Sequence, residues 1–230
     1  MPPINETLVR TIRRELRSRK DATRARGAAA YMKVALPFLG VAMPEVRRIA
    51  KAAFRAQPIA TLAEYRATVS ELFFNAKHQE ERYAALAVAA ERGCRGFQRA
   101  SVLPLYRSMI TTAAWWDLVD DVSCRVGDVL GNAPEVTAKT LLGWARGDDL
   151  WLRRAAIICQ RKRKGETDLE LLYACIEPSL SSPEFFLRKG IGWALRSLAW
   201  HDAPEARRYV REHADRLSPL SQREALKNLG

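Results

Sequence analysis

The sequence contains no stretch of about 18 consecutive apolar residues, the length that a helix needs to cross a bilayer. Its N-terminus also lacks the apolar core of a secretory signal. Glu6 and Glu15, which stand among the N-terminal arginines, argue against an Arg-rich transit peptide. We therefore expect a cytoplasmic protein without a membrane partner.

Cysteine and histidine are scarce too, with four cysteines and three histidines in the chain. No Cys-x-x-Cys pair occurs, and no cysteine lies close to a histidine in sequence. The cysteines are Cys94, Cys124, Cys159 and Cys175. This usage predicts reduced cysteines in the core of a cytosolic protein, with neither a zinc site nor a disulfide. We expect no metal and no organic cofactor.

Signals for β-strands are missing as well, because β-branched alternation is rare and no Asn-Gly or Asp-Gly turn is present. Almost every segment instead has helical periodicity, broken by Pro, Gly, Asp and Ser into pieces of helix length. One predicted helix runs from about Glu6 to Arg19, and Met43-Pro44 begins another with proline in its first turn. The pattern predicts an all-α fold of about 12–14 helices.

Acidic residues are outnumbered: Lys and Arg total 38 against 26 for Asp and Glu, giving a formal net charge of +12. This balance favours a polyanionic partner, with nucleic acid first and an anionic membrane surface second. The charged residues from Arg10 to Arg26 are nearly all cationic, with only Glu15 and Asp21 as acids. Both a phosphate contact and a solvated surface are open interpretations of that segment.

A short pattern recurs along the chain: a basic residue, any residue, a small residue and an apolar residue. Its copies begin at Arg82, Arg153, Arg188 and Arg223, about 35 residues apart or twice that distance. A period of this length with two helices in each unit is typical of an α-solenoid. We expect one domain over residues 1–230, with N-terminal helices in 1–60 and repeats of helix pairs in 61–230. Its curved stack would expose the second helix of each pair in a concave basic groove.

One of these second helices contains the stretch from Ala113 to Asp121. If the stretch is helical, Trp116 and Asp120 share one face, whereas Trp115 joins an apolar stripe with Leu118 and is a core residue. An ordinary structural interpretation also fits, in which Trp116 packs and Asp120 is solvated or forms a salt bridge.

Two further second helices have cations at helical spacing. Arg154 and Arg161 fall on one stripe, and Lys189, Trp193 and Arg196 fall on one face. We expect the four cations to contact DNA phosphates, although salt bridges between repeats are equally open for the arginines. Two glycines, at 190 and 192, lie within one helical turn, at a cost of about 1 kcal/mol each relative to alanine, which predicts a close approach by another segment.

A carboxylate in a cationic groove repels phosphate, so its presence is explained best if it acts on something positive. The sugar becomes cationic when an N-glycosidic bond breaks, as it does in glycoside hydrolysis. An alkylated purine is already cationic and needs no acid to leave, so one carboxylate suffices to stabilise the sugar cation and position water. Aromatic faces add cation–π attraction.

The chain resembles the AlkD-like DNA alkylation-repair glycosylases, which are built of HEAT-like helical repeats, over nearly its whole length. The similarity lies in these segments, in this order and spacing: Tyr31-Met32-Lys33, Phe38-Leu39-Gly40, Trp115-Trp116-Asp117 with Val119-Asp120, Trp151-Leu152 with Arg154-Ala155-Ala156-Ile157, Glu184-Phe185-Phe186 with Lys189 and Ile191-Gly192-Trp193, and Pro219-Leu220-Ser221 with Arg223-Glu224-Ala225.

The resemblance implies excision of cationic N3- and N7-alkylated purines from double-stranded DNA, leaving an abasic site, without drawing the base into a pocket. It makes Asp120 the catalytic carboxylate and places Trp116 and Trp193 around the sugar and backbone of the lesion. By the same similarity Arg154 binds the phosphate near the lesion and Tyr31 lines the cleft. No lysine is poised as an amine nucleophile, so we expect no lyase activity.

We expect a monomer without an obligate protein partner, associated with the nucleoid in a bacterium. The alternative from another class is a non-catalytic scaffold of HEAT repeats that binds nucleic acid or a protein. Structure can separate the two. Convergence of Asp120, Trp116, Trp193 and Arg154 favours the glycosylase, whereas a buried Asp120 paired with an arginine favours the scaffold.

Overall fold

The computed structural model describes residues 3–229, and within them every regular element is helical. The α-helices are α1 (Glu6–Ser18), α2 (Ala22–Met32), α3 (Met43–Ala56), α4 (Leu62–Phe74), α5 (Gln79–Ala89), α6 (Leu103–Ala113), α7 (Trp116–Asn132), α8 (Pro134–Arg146), α9 (Leu150–Ile158), α10 (Leu169–Ile176), α11 (Phe185–Ala199), α12 (Ala203–Glu212) and α13 (Pro219–Leu226). The all-α prediction is confirmed, as are the first helix and the helix that begins at Met43-Pro44.

The chain forms two compact units, unit 1 (Met1–Leu105) and unit 2 (Tyr106–Gly230). This boundary falls in the first turn of α6. A single solenoid domain with a concave basic groove stays a prediction. Within residues 3–229, none of the helices combines the length and the apolar character that a membrane span requires.

Unit 1 is built around α1, whose apolar residues repeat at helical spacing. Leu8, Ile12 and Leu16 are fully buried and α1 packs on α3 and α5, which also contact each other. Its N-terminus is capped by Asn5, whose side chain accepts a hydrogen bond from the backbone N–H of Leu8 at 3.1 Å. The arginines of α1 are thereby left mostly on the outer face of this unit.

The loop after α2 is held by a buried carboxylate. Glu80 accepts hydrogen bonds from the backbone N–H groups of Leu39, Gly40 and Val41 at 2.9, 2.7 and 3.2 Å. Gly40 has φ +85°, and a Cβ there would lie 2.0 Å from the backbone oxygen of Asp21. The Phe38-Leu39-Gly40 segment therefore has a structural explanation, because only glycine fits that position.

Unit 2 has the packing order of helix-pair repeats. Helices α7, α9, α11 and α13 pack on one another in sequence order, and α8, α10 and α12 pack beside them. Side chains near the N-termini of α7, α9 and α11 also meet: the ring centroids of Trp115 and Phe186 lie 5.6 Å apart, and those of Trp151 and Phe186 lie 4.9 Å apart. Because these residues occupy equivalent places in successive repeats, the predicted period corresponds to a physical stack.

The expectation of one continuous helix over the double tryptophan is wrong. Helix α6 ends at Ala113, Ala114 has a left-handed φ of 43°, and α7 begins at Trp116. Trp115 is therefore the N-cap residue of α7 and does not share its apolar stripe; its ring packs instead against Trp151, at 6.0 Å, and against Phe186. Trp116 and Asp120 do lie on the same helix, four residues apart.

All four cysteines are buried and free. The prediction that the cysteines lie in the core is thus confirmed, and their reduced state stays a prediction. Burial raises the pKa of the Cys94 thiol to about 12, so this sulfur is held in the neutral, unreactive form.

Candidate functional site

Helices from successive repeats of unit 2 bring a group of charged side chains around one tryptophan, and we call this group the Trp193 cluster. It draws on α7, α9, the 3-10 turn that follows α9, α11 and α13. Its members are Asp120, Arg154, Arg161, Lys189, Trp193, Arg196 and Glu224. Cations outnumber carboxylates in it, so the cluster retains net positive charge.

The centre of the cluster is a bidentate ion pair between α7 and α9. Arg154 donates from Nε to Asp120 Oδ1 at 2.7 Å and from Nη2 to Asp120 Oδ2 at 2.8 Å. The exposed fraction of the side chain is 11% for Asp120 and 2% for Arg154. Most of the solvent-exposed surface of this ion pair is therefore that of the Asp120 carboxylate, and the Arg154 guanidinium is buried.

The remaining nitrogen of the Arg154 guanidinium, Nη1, binds helix α11. Its Nη1 donates to the backbone oxygen of Phe186 at 2.5 Å. A Cβ at position 190 would lie 3.3 Å from the same Nη1, so Gly190 leaves the room that this side chain occupies. The close approach predicted for Gly190 is confirmed, and the approaching group is the arginine that holds Asp120.

Trp193 is surrounded by guanidinium groups. The guanidinium carbons of Arg161, Arg154 and Arg196 lie 5.3, 5.6 and 5.8 Å from the centroid of its ring, within the range of cation–π attraction. Its indole N–H is buried and finds no hydrogen-bond acceptor in the described part of the chain.

A second carboxylate, Glu224 of α13, binds two of the cations of α11, Lys189 and Arg196. Lys189 Nζ lies 2.7 Å from Glu224 Oε1, and Arg196 Nη1 lies 3.0 Å from Glu224 Oε2. The hydrogen bond from Lys189 is the largest of the causes that lower the pKa of Glu224, so this buried side chain stays charged.

Helix α13 can approach α11 this closely because position 192 is glycine. A Cβ there would lie 2.5 Å from Cβ of Glu224 and 2.9 Å from the backbone oxygen of Ser221. The prediction of a close approach is confirmed for this glycine as well. The paired glycines of α11 thus admit the two groups, Arg154 and Glu224, that organise the cluster.

Arg161 differs from the other cations of the cluster. No ion pair within residues 3–229 includes it, and its side chain donates a hydrogen bond from Nη2 to Cys124 Sγ at 3.9 Å. It lies over Trp193 and remains half-buried. A cation without a carboxylate partner is the member of the cluster that is best able to accept an anion.

Two of the predicted site residues lie apart from these contacts. Trp116 is half-buried in the first turn of α7, one turn before Asp120. Tyr31, at the end of α2 in unit 1, is 74% exposed. The roles assigned to both stay predictions.

The structure brings together six of the eight predicted site residues, and it gives three of them carboxylate partners. Arg154, Lys189 and Arg196 all form salt bridges between repeats, which was the ordinary alternative for the arginines. A phosphate contact by Arg154 stays a prediction, and the burial of this side chain and its pairing with Asp120 weigh against it. Burial and pairing of Asp120 favour the scaffold. The convergence that would favour the glycosylase is present in part: Asp120 binds Arg154, whose guanidinium lies over Trp193, but Trp116 is not among these contacts.

Sequence reasoning missed Glu224 as a member of the site, although a usable signal was present. Lys189 and Glu224 are separated by 35 positions, and Asp120 and Arg154 by 34. Opposite charges one repeat period apart on inner helices face each other across the repeat interface.

The described residues include no group of three or more His, Cys, Asp or Glu side chains placed to hold a metal ion.

Comparison with known proteins identifies a family, and it finds similar solved structures. The family model described as DNA alkylation repair enzyme matches residues 12–229. A solved structure described as a predicted DNA alkylation repair enzyme from Enterococcus faecalis is 26% identical and superposes with a TM-score of 0.78, covering 92% of this chain and 97% of that one. No curated protein matches the chain significantly in sequence.

Proposed function

As the chain belongs to the DNA alkylation repair enzyme family, we propose that it is a DNA N-glycosylase. Its substrates would be cationic N3- and N7-alkylated purines in double-stranded DNA, such as 3-methyladenine and 7-methylguanine. Its product would be an abasic site, formed without drawing the base into a pocket. The observation that carries the proposal is the oriented Asp120 carboxylate, fixed by Arg154 beside Trp193 in a cluster of net positive charge.

The ion pair with Arg154 leaves the carboxylate able to act. Each oxygen of Asp120 accepts one hydrogen bond from Arg154, and a carboxylate has about four acceptor positions in all. The carboxylate therefore keeps acceptor positions that Arg154 does not use. Of the two side chains, Asp120 is also the more exposed. Arg154 therefore serves as a positioning group, which fixes the carboxylate before the substrate arrives and so avoids reorganisation during the reaction.

In the proposed reaction the bond between C1′ of the sugar and the purine nitrogen breaks, and its electron pair leaves with the base. An N3- or N7-alkylated purine carries a positive charge, so it departs as a neutral base and needs no acid. The charge that appears on the sugar is stabilised by Asp120. Water then adds to C1′ and loses a proton to the carboxylate or to solvent, which completes the hydrolysis.

Aromatic faces and cations would hold the substrate around this carboxylate. Trp193, and Trp116 one turn before Asp120, would contact the sugar and backbone of the lesion. Arg161 is the cation that we assign most directly to a phosphate. Lys189 and Arg196 would be weaker phosphate contacts, because both are paired with Glu224. Lys189 is a poor candidate for an amine nucleophile, because its ammonium group is bound to Glu224 at 2.7 Å. The proposed enzyme is therefore monofunctional.

The second candidate is a non-catalytic scaffold that binds DNA or a protein. The specific observation in its favour is that Asp120 is buried and engaged with an arginine through both oxygens, as a purely structural ion pair would be. Under this candidate the Trp193 cluster joins neighbouring repeats and has no reacting group.

One experiment separates the two candidates. The purified protein is incubated with N-methylated duplex DNA, and free bases are measured by chromatography against a sample without protein, which gives the spontaneous loss. The glycosylase predicts release of 7-methylguanine or 3-methyladenine above that background and none from unmethylated DNA. Binding of the DNA without any excess of free base would establish the scaffold and reject the enzyme.

A further inference from the structure

We infer that Glu224 is a positioning residue of the proposed active site: it fixes the cations beside Trp193 and weakens DNA binding in doing so. The inference rests on the proposed glycosylase function and extends it to a residue of α13. The Glu224 carboxylate binds Lys189 and Arg196 rather than Asp120, so its effect on the reaction would pass through these two cations.

The first step of the argument is geometric. One carboxylate spans two cations of α11, with each oxygen serving one of them, at 2.7 Å to Lys189 and 3.0 Å to Arg196. Arg196 also lies 5.8 Å from the ring centroid of Trp193. Glu224 therefore restrains a guanidinium that rests on the same indole ring as Arg154, the partner of Asp120.

The second step concerns charge. In a protein that binds DNA, a carboxylate among cations lowers the affinity because it repels phosphate and occupies the groups that would bind it. Glu224 occupies two such groups at once and is itself buried. Simple attachment of α13 to α11 does not require this arrangement, since Ser221 already donates from Oγ to the backbone oxygen of Arg188 at 2.9 Å.

The third step connects position to rate. Without Glu224, the side chains of Lys189 and Arg196 would follow the nearest phosphates, and Arg196 would leave Trp193. The ring, and with it the lesion's sugar, would then be placed less accurately relative to Asp120. Small errors of position at a reacting centre reduce turnover strongly, whereas freed cations increase binding. The two effects have opposite signs, and this makes the inference testable.

The test is Glu224→Gln, which keeps the shape and removes the charge. We expect DNA to bind more tightly, with the slope of log affinity against log salt steeper by about 0.9 for each additional phosphate contact. We expect base release with saturating protein in a single turnover to fall by about tenfold or more. Loss of binding and release together with a lowered Tm would show a merely structural role, and an unchanged rate of release would also overturn the inference.

Two further variants keep the result decisive. Glu224→Asp retains the charge but is shorter and holds the two cations less firmly, so release should fall while affinity rises less than in Glu224→Gln. If Glu224→Gln does not fold, unchanged release by Glu224→Asp overturns the inference. Glu205→Gln is the matched control, because Glu205 of α12 also binds two partners, Arg208 and Tyr173, away from the cluster. It should change neither the affinity for DNA nor the rate of release.

Failure of the inference can be distinguished from failure of the proposed function. If the wild-type protein releases no base, the glycosylase proposal fails and the positioning role fails with it, whatever the variants do to DNA affinity. If the wild-type protein releases base and Glu224→Gln releases it at the same rate, only the positioning role fails.

Discussion

Replacement of Gly192 by alanine tests whether the glycines of α11 exist to admit their neighbours. In an unobstructed helix interior this change stabilises a protein by about 1 kcal/mol. At position 192, however, the new Cβ would lie 2.5 Å from Cβ of Glu224 and 2.9 Å from the backbone oxygen of Ser221. Neither obstacle is the end of a flexible side chain, so α13 itself must shift.

The magnitude follows from these opposing terms. Overpacking costs about 1–3 kcal/mol, and contact with a backbone oxygen and a Cβ puts this site at the upper end. After subtraction of the helix-propensity gain, Gly192→Ala should lower the free energy of unfolding by about 2 kcal/mol. For a chain of this size that corresponds to a Tm lower by about 4–8 °C.

Gly143→Ala is the matched control. Gly143 lies inside α8, is exposed, and has no atom within 4 Å of the Cβ position. This variant should gain about 1 kcal/mol from propensity alone. Urea denaturation of both variants, with slopes compared to the wild type, measures the difference of about 3 kcal/mol between them. A Gly192→Ala variant that is as stable as Gly143→Ala would refute the close-approach argument.

Two further predictions concern ion pairs of unit 2. Arg154→Met should destabilise the protein by about 3–5 kcal/mol, because it leaves the buried Asp120 carboxylate unpaired. Adding Asp120→Asn should restore part of this loss, as measured by urea denaturation. No loss of stability in Arg154→Met alone would show that the pair contributes nothing. Hydrogen bonds from Arg208 and Tyr173 lower the pKa of Glu205 from 4.5 to about 2, so its contribution to stability is full above pH 4.5 and disappears as the pH falls towards 2. Glu205→Gln should therefore lower Tm at pH 7, and the difference from wild type should narrow below pH 4.5; a difference that is constant with pH would contradict the assignment.

Local sequence signals predicted the helices well where the physics is local. The apolar spacing of α1, the proline that opens α3 and the shared face of Lys189, Trp193 and Arg196 all follow from one helix considered alone. Even the paired glycines of α11 indicated a close neighbour, because their cost in a helix must be offset by packing.

The ends of α6 and α7 show where local reasoning fails. Ala113, Ala114 and the tryptophans after them contain no helix breaker, yet Ala114 takes a left-handed φ of 43°. The cause is tertiary: the turn directs Trp115 against Trp151 and Phe186, which belong to the next two repeats. Such packing overrides helix propensity and cannot be read from neighbouring residues.

The ion pairs of the candidate site could not be predicted from neighbouring residues either, because they too depend on tertiary packing. That Asp120 binds Arg154, and that Glu224 binds Lys189 and Arg196, depends on which helices face each other across repeats. The period of the sequence gives the approximate spacing of these partners. Their burial and the direction of their hydrogen bonds arise only when the helices are packed.

The central claim is that Asp120 is the group that promotes base release, and one measurement addresses it directly. Purified Asp120→Asn is compared with wild type for release of 7-methylguanine from N-methylated duplex DNA, with DNA binding measured on the same preparations. The account predicts release slower by about 100-fold or more, with binding retained, because the carboxylate stabilises charge that appears only as the bond breaks. Release by Asp120→Asn at the wild-type rate would contradict it.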